Sequence, residues 1–113
     1  MKYMLLIYHD ERLFMTMPEA ERQALYLDYR QLREKLLSNG KFITGSQLQP
    51  AGWASSIRVR NGESLATDGP FAETKEQLGG YFLIEAESLD EAKEIAAQIP
   101  SAKVGTIEVR AQV

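Results

Sequence analysis

Two stretches of this 113-residue chain are apolar on both of the faces that a β-strand presents. One runs from Tyr3 to Tyr8; the other is Tyr81-Phe82-Leu83-Ile84, inside Gly80–Ala86. Successive strand side chains point to opposite sides, so such strands need cover above and below. The rest of the chain offers only two amphipathic helices, which can cover one face of a sheet and leave the other bare. A bare apolar face of that size calls for a partner, most simply a second copy related by a two-fold axis. The expectation is a homodimer formed by the sheet faces.

The order of elements narrows the fold. His9-Asp10-Glu11-Arg12 is a polar exit from the first strand, and Leu13 to Met17, apolar without a clear period, is read as loop or irregular turn. A first helix is expected from near Pro18, where Thr16 and Glu19 have capping-box spacing and Pro18 suits the first turn. Leu25, Tyr29, Leu32 and Leu36 form its buried stripe, and Gly40 suits a left-handed cap. Phe42 to Gln47 reads as a short strand. Ala54 to Arg60 alternates, Asn61-Gly62 asks for a type I′ turn, and Glu63 to Thr67 returns antiparallel. After Gly80–Ala86 comes a helix capped by Ser88 with Glu91 three residues on, its stripe Ala92, Ile95, Ala96 and Ile99, ended by Pro100. Gly105 to Arg110 is the last strand. The class is α+β: a ferredoxin-like βαββαβ pattern with an inserted β-hairpin.

Length and composition fit one domain over residues 1–113. A net charge of −3 excludes a nucleic-acid surface; Arg58 and Arg60 alone do not make a basic patch. There is no cysteine, which removes disulfides and thiolate chemistry. One histidine and scattered carboxylates give no metal-ligand pattern, and no cofactor is expected. The N-terminal apolar run is too short for a signal core, and no run reaches membrane-spanning length, so a cytoplasmic protein with no membrane contact is expected.

The connection from Asp68 to Tyr81, DGPFAETKEQLGGY, concentrates special residues. Asp-Gly-Pro is loop chemistry; Phe71 sets a ring on that loop, and Glu73, Lys75 and Glu76 set charges of both signs beside it. Asp68 is expected to bond backbone of its own loop and Phe71 to be largely buried. This run resembles the signature of the DGPF branch of the YCII-related family. The opening MKYMLLIY, the middle RVRNG, and the close IPSA followed by IEVR fit as well, so the resemblance covers essentially the whole chain. It implies a dimeric α+β barrel, in which two sheets enclose a shared interior. Members of the branch are often encoded beside extracytoplasmic-function sigma factors, which implies a link to transcription control. YCII relatives outside the branch carry a His after a Pro at the start of the first helix and an Asp before a late Pro, the pair proposed as their catalytic dyad. The corresponding positions here are Ala20 and Ile99, so that chemistry does not transfer.

Candidate site residues follow. His9 is the only imidazole and adjoins Asp10, a combination suited to general acid–base work; the plain alternative is a solvated loop histidine. Haem ligation by His9, as in some dimeric-barrel enzymes, has no second feature behind it. Tyr8, Trp53, Phe71 and Tyr81 could line an apolar pocket, against ordinary core and dimer packing. Asp68, Glu73 and Lys75, with His9, are placed at the mouth of the dimer's interior as contacts for a small organic ligand. The competing expectation is an accessory regulator that touches a sigma factor and catalyses nothing; a third is a plain structural dimer module.

Overall fold

The computed structural model describes residues 1–113. Strand β1 (Lys2–His9) lies at the centre of a four-stranded antiparallel sheet, between β5 (Gln77–Glu85) and β6 (Thr106–Ala111). Strand β2 (Phe42–Gln47) pairs with the far edge of β5, giving the order β2-β5-β1-β6. Helices α2 (Glu19–Ser38) and α3 (Leu89–Gln98) both pack on one face. The expected βαββαβ pattern is therefore present, with the hairpin of β3 (Ser55–Arg60) and β4 (Glu63–Asp68) inserted between β2 and β5 as a separate two-stranded sheet. No helix is long and apolar enough to cross a membrane.

Alternation decides which side chains face the helices. Tyr3, Leu5 and Ile7 of β1 are buried against Leu32 and Leu36 of α2 and Ala92, Ile95, Ala96 and Ile99 of α3. Phe82 and Ile84 join them from β5, opposite Leu5 and Tyr3 in the ladder. Complete burial of residues such as Leu5 and Ile84 stabilises by about 1.5–3 kcal/mol each. Met4, Leu6 and Tyr8 point the other way, opposite Leu83, Tyr81 and Leu78. They are half-buried, with no helix over them, and the expectation of cover on both faces is met on one face only within the protomer.

The chain leaves β1 through a short helix that the sequence reading placed in an irregular turn. Helix α1 (Glu11–Met15) is capped by Asp10, whose carboxylate accepts from the Arg12 amide at 3.0 Å. Five residues are too few to display a period, so only the cap could have revealed it. Thr16 ends this helix, its hydroxyl donating to the Arg12 carbonyl at 2.8 Å. It does not cap α2, which starts after Pro18 without a side-chain cap.

One irregularity shapes the sheet near the end of β1. Ile7 pairs with Gly80 but Tyr8 pairs with Leu78, leaving Gly79 as a bulge in β5. The Gly79 carbonyl then accepts from the Leu48 amide at 2.9 Å, bringing the exit of β2 beside the entry of β5. Between those points the chain makes its excursion. Asn61 (φ 54°) and Gly62 (φ 78°) form the expected two-residue turn, pairing Ser55 with Asp68 through to Arg60 with Glu63. Ile57 and Val59 are about 60% exposed, and the hairpin stands away from the body. The radius of gyration is 15.9 Å, against roughly 13 Å for a compact chain of this length.

Candidate functional site

Where α2 passes over the end of β1, the packing is incomplete. A cavity of 270 Å³ lies between helix and sheet, on the face opposite Tyr8 and Tyr81. His9 projects into it from β1, in phase with buried Ile7. From α2 come Tyr26, Tyr29 and Arg33, and Arg22 lines the adjoining outer cavity. Positions 22, 26, 29 and 33 step by four, three and four, which puts all four on one stripe of the helix. The floor includes Gly45, Gly79 and Gly80 of the sheet. A Cβ on Gly79 would sit 2.5 Å from His9 Cε1, so the bulge glycine is what admits the imidazole. The outer cavity, of 520 Å³, shares His9, Phe14, Tyr26, Gln47 and Gly79 with the inner one, so the two halves of the cleft adjoin at those residues.

Rings wall this cleft. The His9 imidazole stacks on Phe14 with centroids 5.7 Å apart and planes 20° from parallel. Tyr26 meets Phe14 edge-on at 6.1 Å, and the Arg22 guanidinium lies 5.5 Å from the centre of the Phe14 ring. Such contacts each contribute about 0.5–1.5 kcal/mol beyond burial. At the inner end the Tyr29 hydroxyl and Ser101 Oγ are 2.5 Å apart, and Ser101 is buried. Burial pushes the Tyr29 phenol up, outweighing the opposite pull of the Ser101 hydrogen bond. A neutral phenol at neutral pH is a hydrogen-bond donor, so the inner end presents a donor–acceptor pair in an apolar setting.

The residues expected to form the site are dispersed. Asp10 does not pair with His9; it holds Arg12 through Nε at 3.2 Å and the terminal nitrogen at 2.9 Å besides capping α1. Those Arg12 bonds hold its carboxyl below the usual carboxylate range, and the charge of Lys75 adds to the effect. Tyr8 and Tyr81 lie on the open sheet face. Glu73 and Lys75 are exposed, outside both cavities. Phe71, expected to be largely buried, is 80% exposed in this chain and lines a shallow surface pocket with Arg58 and Arg60 of the hairpin. Trp53 is 76% exposed and lines neither cavity.

Asp68 also departs from expectation, since its carboxylate accepts no hydrogen bond. An Asx-turn needs the amide two residues on, and that residue is Pro70, which has none. The preceding amide, of Gly69, already donates to the Ala54 carbonyl at 2.6 Å. The loop is instead tied down through its far end. Gln77 donates to the Thr74 carbonyl at 2.6 Å and accepts from the Glu11 amide at 3.0 Å. Glu76 accepts from Thr106 Oγ1 at 2.8 Å. No group of three or more His, Asp or Glu converges anywhere in the protein.

Of the sequence-derived candidates, only His9 lines the cleft; Phe14, Arg22, Tyr26, Tyr29, Arg33 and Ser101 were not among them. The spacing of 22, 26, 29 and 33 was readable, while the Tyr29–Ser101 contact joins residues 72 apart in sequence.

Comparison with solved structures finds a similar fold in 5-chloro-2-hydroxyhydroquinone dehydrochlorinase from Burkholderia phenoliruptrix, in complex with 2,5-dihydroxybenzoquinone. The TM-score is 0.60 at 16% identity, with 100% of this chain and 94% of that one covered. An uncharacterized protein of Rhizobium meliloti is 38% identical over 112 residues, covering 97% of this chain and 90% of the relative. The YCII-related domain model matches residues 1–112, and this chain is a member of that family.

Proposed function

We propose that this protein binds a small, planar, oxygen-bearing ring compound in the cleft beneath α2, as a homodimer of the DGPF branch joined through the open sheet faces. The observation that carries the reading is the build of the inner cavity: flat walls from His9, Phe14 and Tyr26, and a single polar pair, Tyr29 and Ser101, at its end. Apolar walls with a few convergent polar groups suit a small organic ligand. The cavity volume matches one substituted ring better than an extended molecule. The quinone in the similarly folded dehydrochlorinase is a ligand of that kind, which supports the class of compound without assigning the reaction. His9, the one imidazole on the wall of both cavities, is the group placed to exchange a proton with a bound hydroxyl.

The test is a thermal-shift and calorimetric screen of phenols, hydroquinones and quinones. Binding to the folded protein alone raises its melting temperature by mass action. Rings should bind, and Ser101→Ala, which removes the partner of Tyr29, should weaken them about tenfold. Absence of binding across all three classes would overturn the proposal.

A second reading, an accessory protein for a sigma factor, draws on the exposure of Asp68, Phe71, Glu73 and Lys75 in the protomer. Its test is co-purification with the purified sigma factor, lost in a Phe71→Ser, Lys75→Glu variant.

A further inference from the structure

The inner cavity is supplied with hydrogen-bond donors and has no anionic acceptor. Tyr29 and Ser101 share one hydrogen bond, and since one hydroxyl donates to the other, one O–H is left over. Arg33 lies one turn beyond Tyr29 on α2, about 6 Å along the axis, and lines this cavity and not the outer one. It is exposed, so its guanidinium can be reached from solution. It enters none of the four ion pairs of the protein. Its helical neighbours three and four positions away, Tyr29, Arg30, Leu36 and Leu37, include no acid. No aspartate or glutamate lines the inner cavity either; Glu11 belongs to the outer one, where the Ala51 amide holds it at 2.6 Å. Arg33 is therefore the one permanently charged group on the inner wall, and nothing on that wall cancels it.

We infer that the ligand is an aromatic acid, and that Arg33 selects it by pairing with a carboxylate carried directly on the ring. The inference rests on the ring-binding reading of the inner cavity and adds the charge of the molecule. The carboxylate accepts from the Arg33 guanidinium and from the spare O–H of the Tyr29–Ser101 pair, and bonds to an ionised acceptor are the stronger kind. The ring lies along α2 toward Tyr26 and Phe14, which leaves His9 for a hydroxyl on its other side. A neutral ring of the same shape still meets the Tyr29–Ser101 pair but gains nothing from the cation. Because Arg33 is exposed, water and salt screen part of the attraction, and the preference it sets is modest.

The test compares para-hydroxybenzoate with para-hydroxybenzamide, which keeps the ring, the hydroxyl and the shape but not the charge, by calorimetry at neutral pH. The acid should bind the wild-type protein about fivefold more tightly. Arg33→Gln, a change between good helix formers, should bring the two affinities together while the amide binds as before, which also shows that the variant is folded. Arg30→Gln, which removes an exposed cation outside both cavities, should leave the preference intact. Equal affinity of the two probes for the wild-type protein, an undiminished preference in Arg33→Gln, or the same loss in Arg30→Gln would overturn the inference; binding of the amide would leave the ring-binding reading standing. Failure of both probes would also overturn it, and failure of the phenols, hydroquinones and quinones as well would remove the ring-binding reading.

Discussion

At the scale of single residues, Gly79 and His9 compete for the same volume. The clash that a Cβ at Gly79 would create is with the tip of a side chain that can rotate, not with backbone. Gly79→Ala should therefore change stability by less than about 1 kcal/mol yet swing the imidazole off Phe14. The His9 ring resonances in NMR should lose their ring-current shift, and ring ligands should bind more weakly. Tyr29 gives a prediction in pH. Its phenol is protonated in the folded protein to a higher pH than in the unfolded chain, because burial raises it. The folded state thus holds the extra proton, and the associated stability is full below about pH 10 and is lost as pH rises through the raised folded value. Urea denaturation from pH 9 to 11.5 should show that decline, and Tyr29→Phe should flatten it. The same substitution should lower stability by about 1–2 kcal/mol at pH 7, since it strands the buried Ser101 hydroxyl. These residues show what the sequence could and could not tell. His9 stands out as the only imidazole, but Ser101 and Gly79 become site residues only through the bulge and the fold.

Elements were legible in proportion to the redundancy of their signals. Helix α3 carries a cap, a stripe and a stop, and all three are realised: Ser88 accepts from the Glu91 amide at 3.1 Å, and Pro100 follows the C-cap residue, Ile99. Ser88→Ala should cost about 1 kcal/mol, measurable in urea. Glu91 also bonds Lys41 at 2.7 Å, tying the entry of β2 to α3, and this bond is the main reason its carboxyl is held low. A depressed carboxyl contributes stability that is full above its unfolded value, near pH 4.3, and is lost as pH falls through its folded value. Lys41→Met should remove that part of the acid-side decline. Helix α1 had a single signal, the Asp10 cap, and was missed. The signature loop was legible as a loop but not in its contacts, because Pro70 removes the amide that its Asp would have used.

For the whole molecule, the open sheet face is the dominant unfinished business of the protomer. Only 14 of 113 residues are buried, and Met4, Leu6, Tyr81 and Leu83 lie on the face that no helix covers. Sedimentation at micromolar concentration should give a dimer. Leu6→Glu combined with Leu83→Glu, which places like charges on neighbouring strands of that face, should give a monomer. A wild-type monomer would show that the face is not an interface. The strand order was readable because element order and strand patterning pointed to one topology. The cleft was not, because it exists only where α2, a bulge and three glycines meet.

The hydrogen bond between Leu48 and Gly79 has a consequence for how this chain can be edited. It brings together two points between which residues 49–76 make a complete detour, so the four-stranded sheet is already closed without them. A short glycine-containing turn could bridge the gap, and loop-closure entropy favours the shorter path. The detour is in this sense a cassette, able to be trimmed, lengthened or exchanged while the sheet keeps its register.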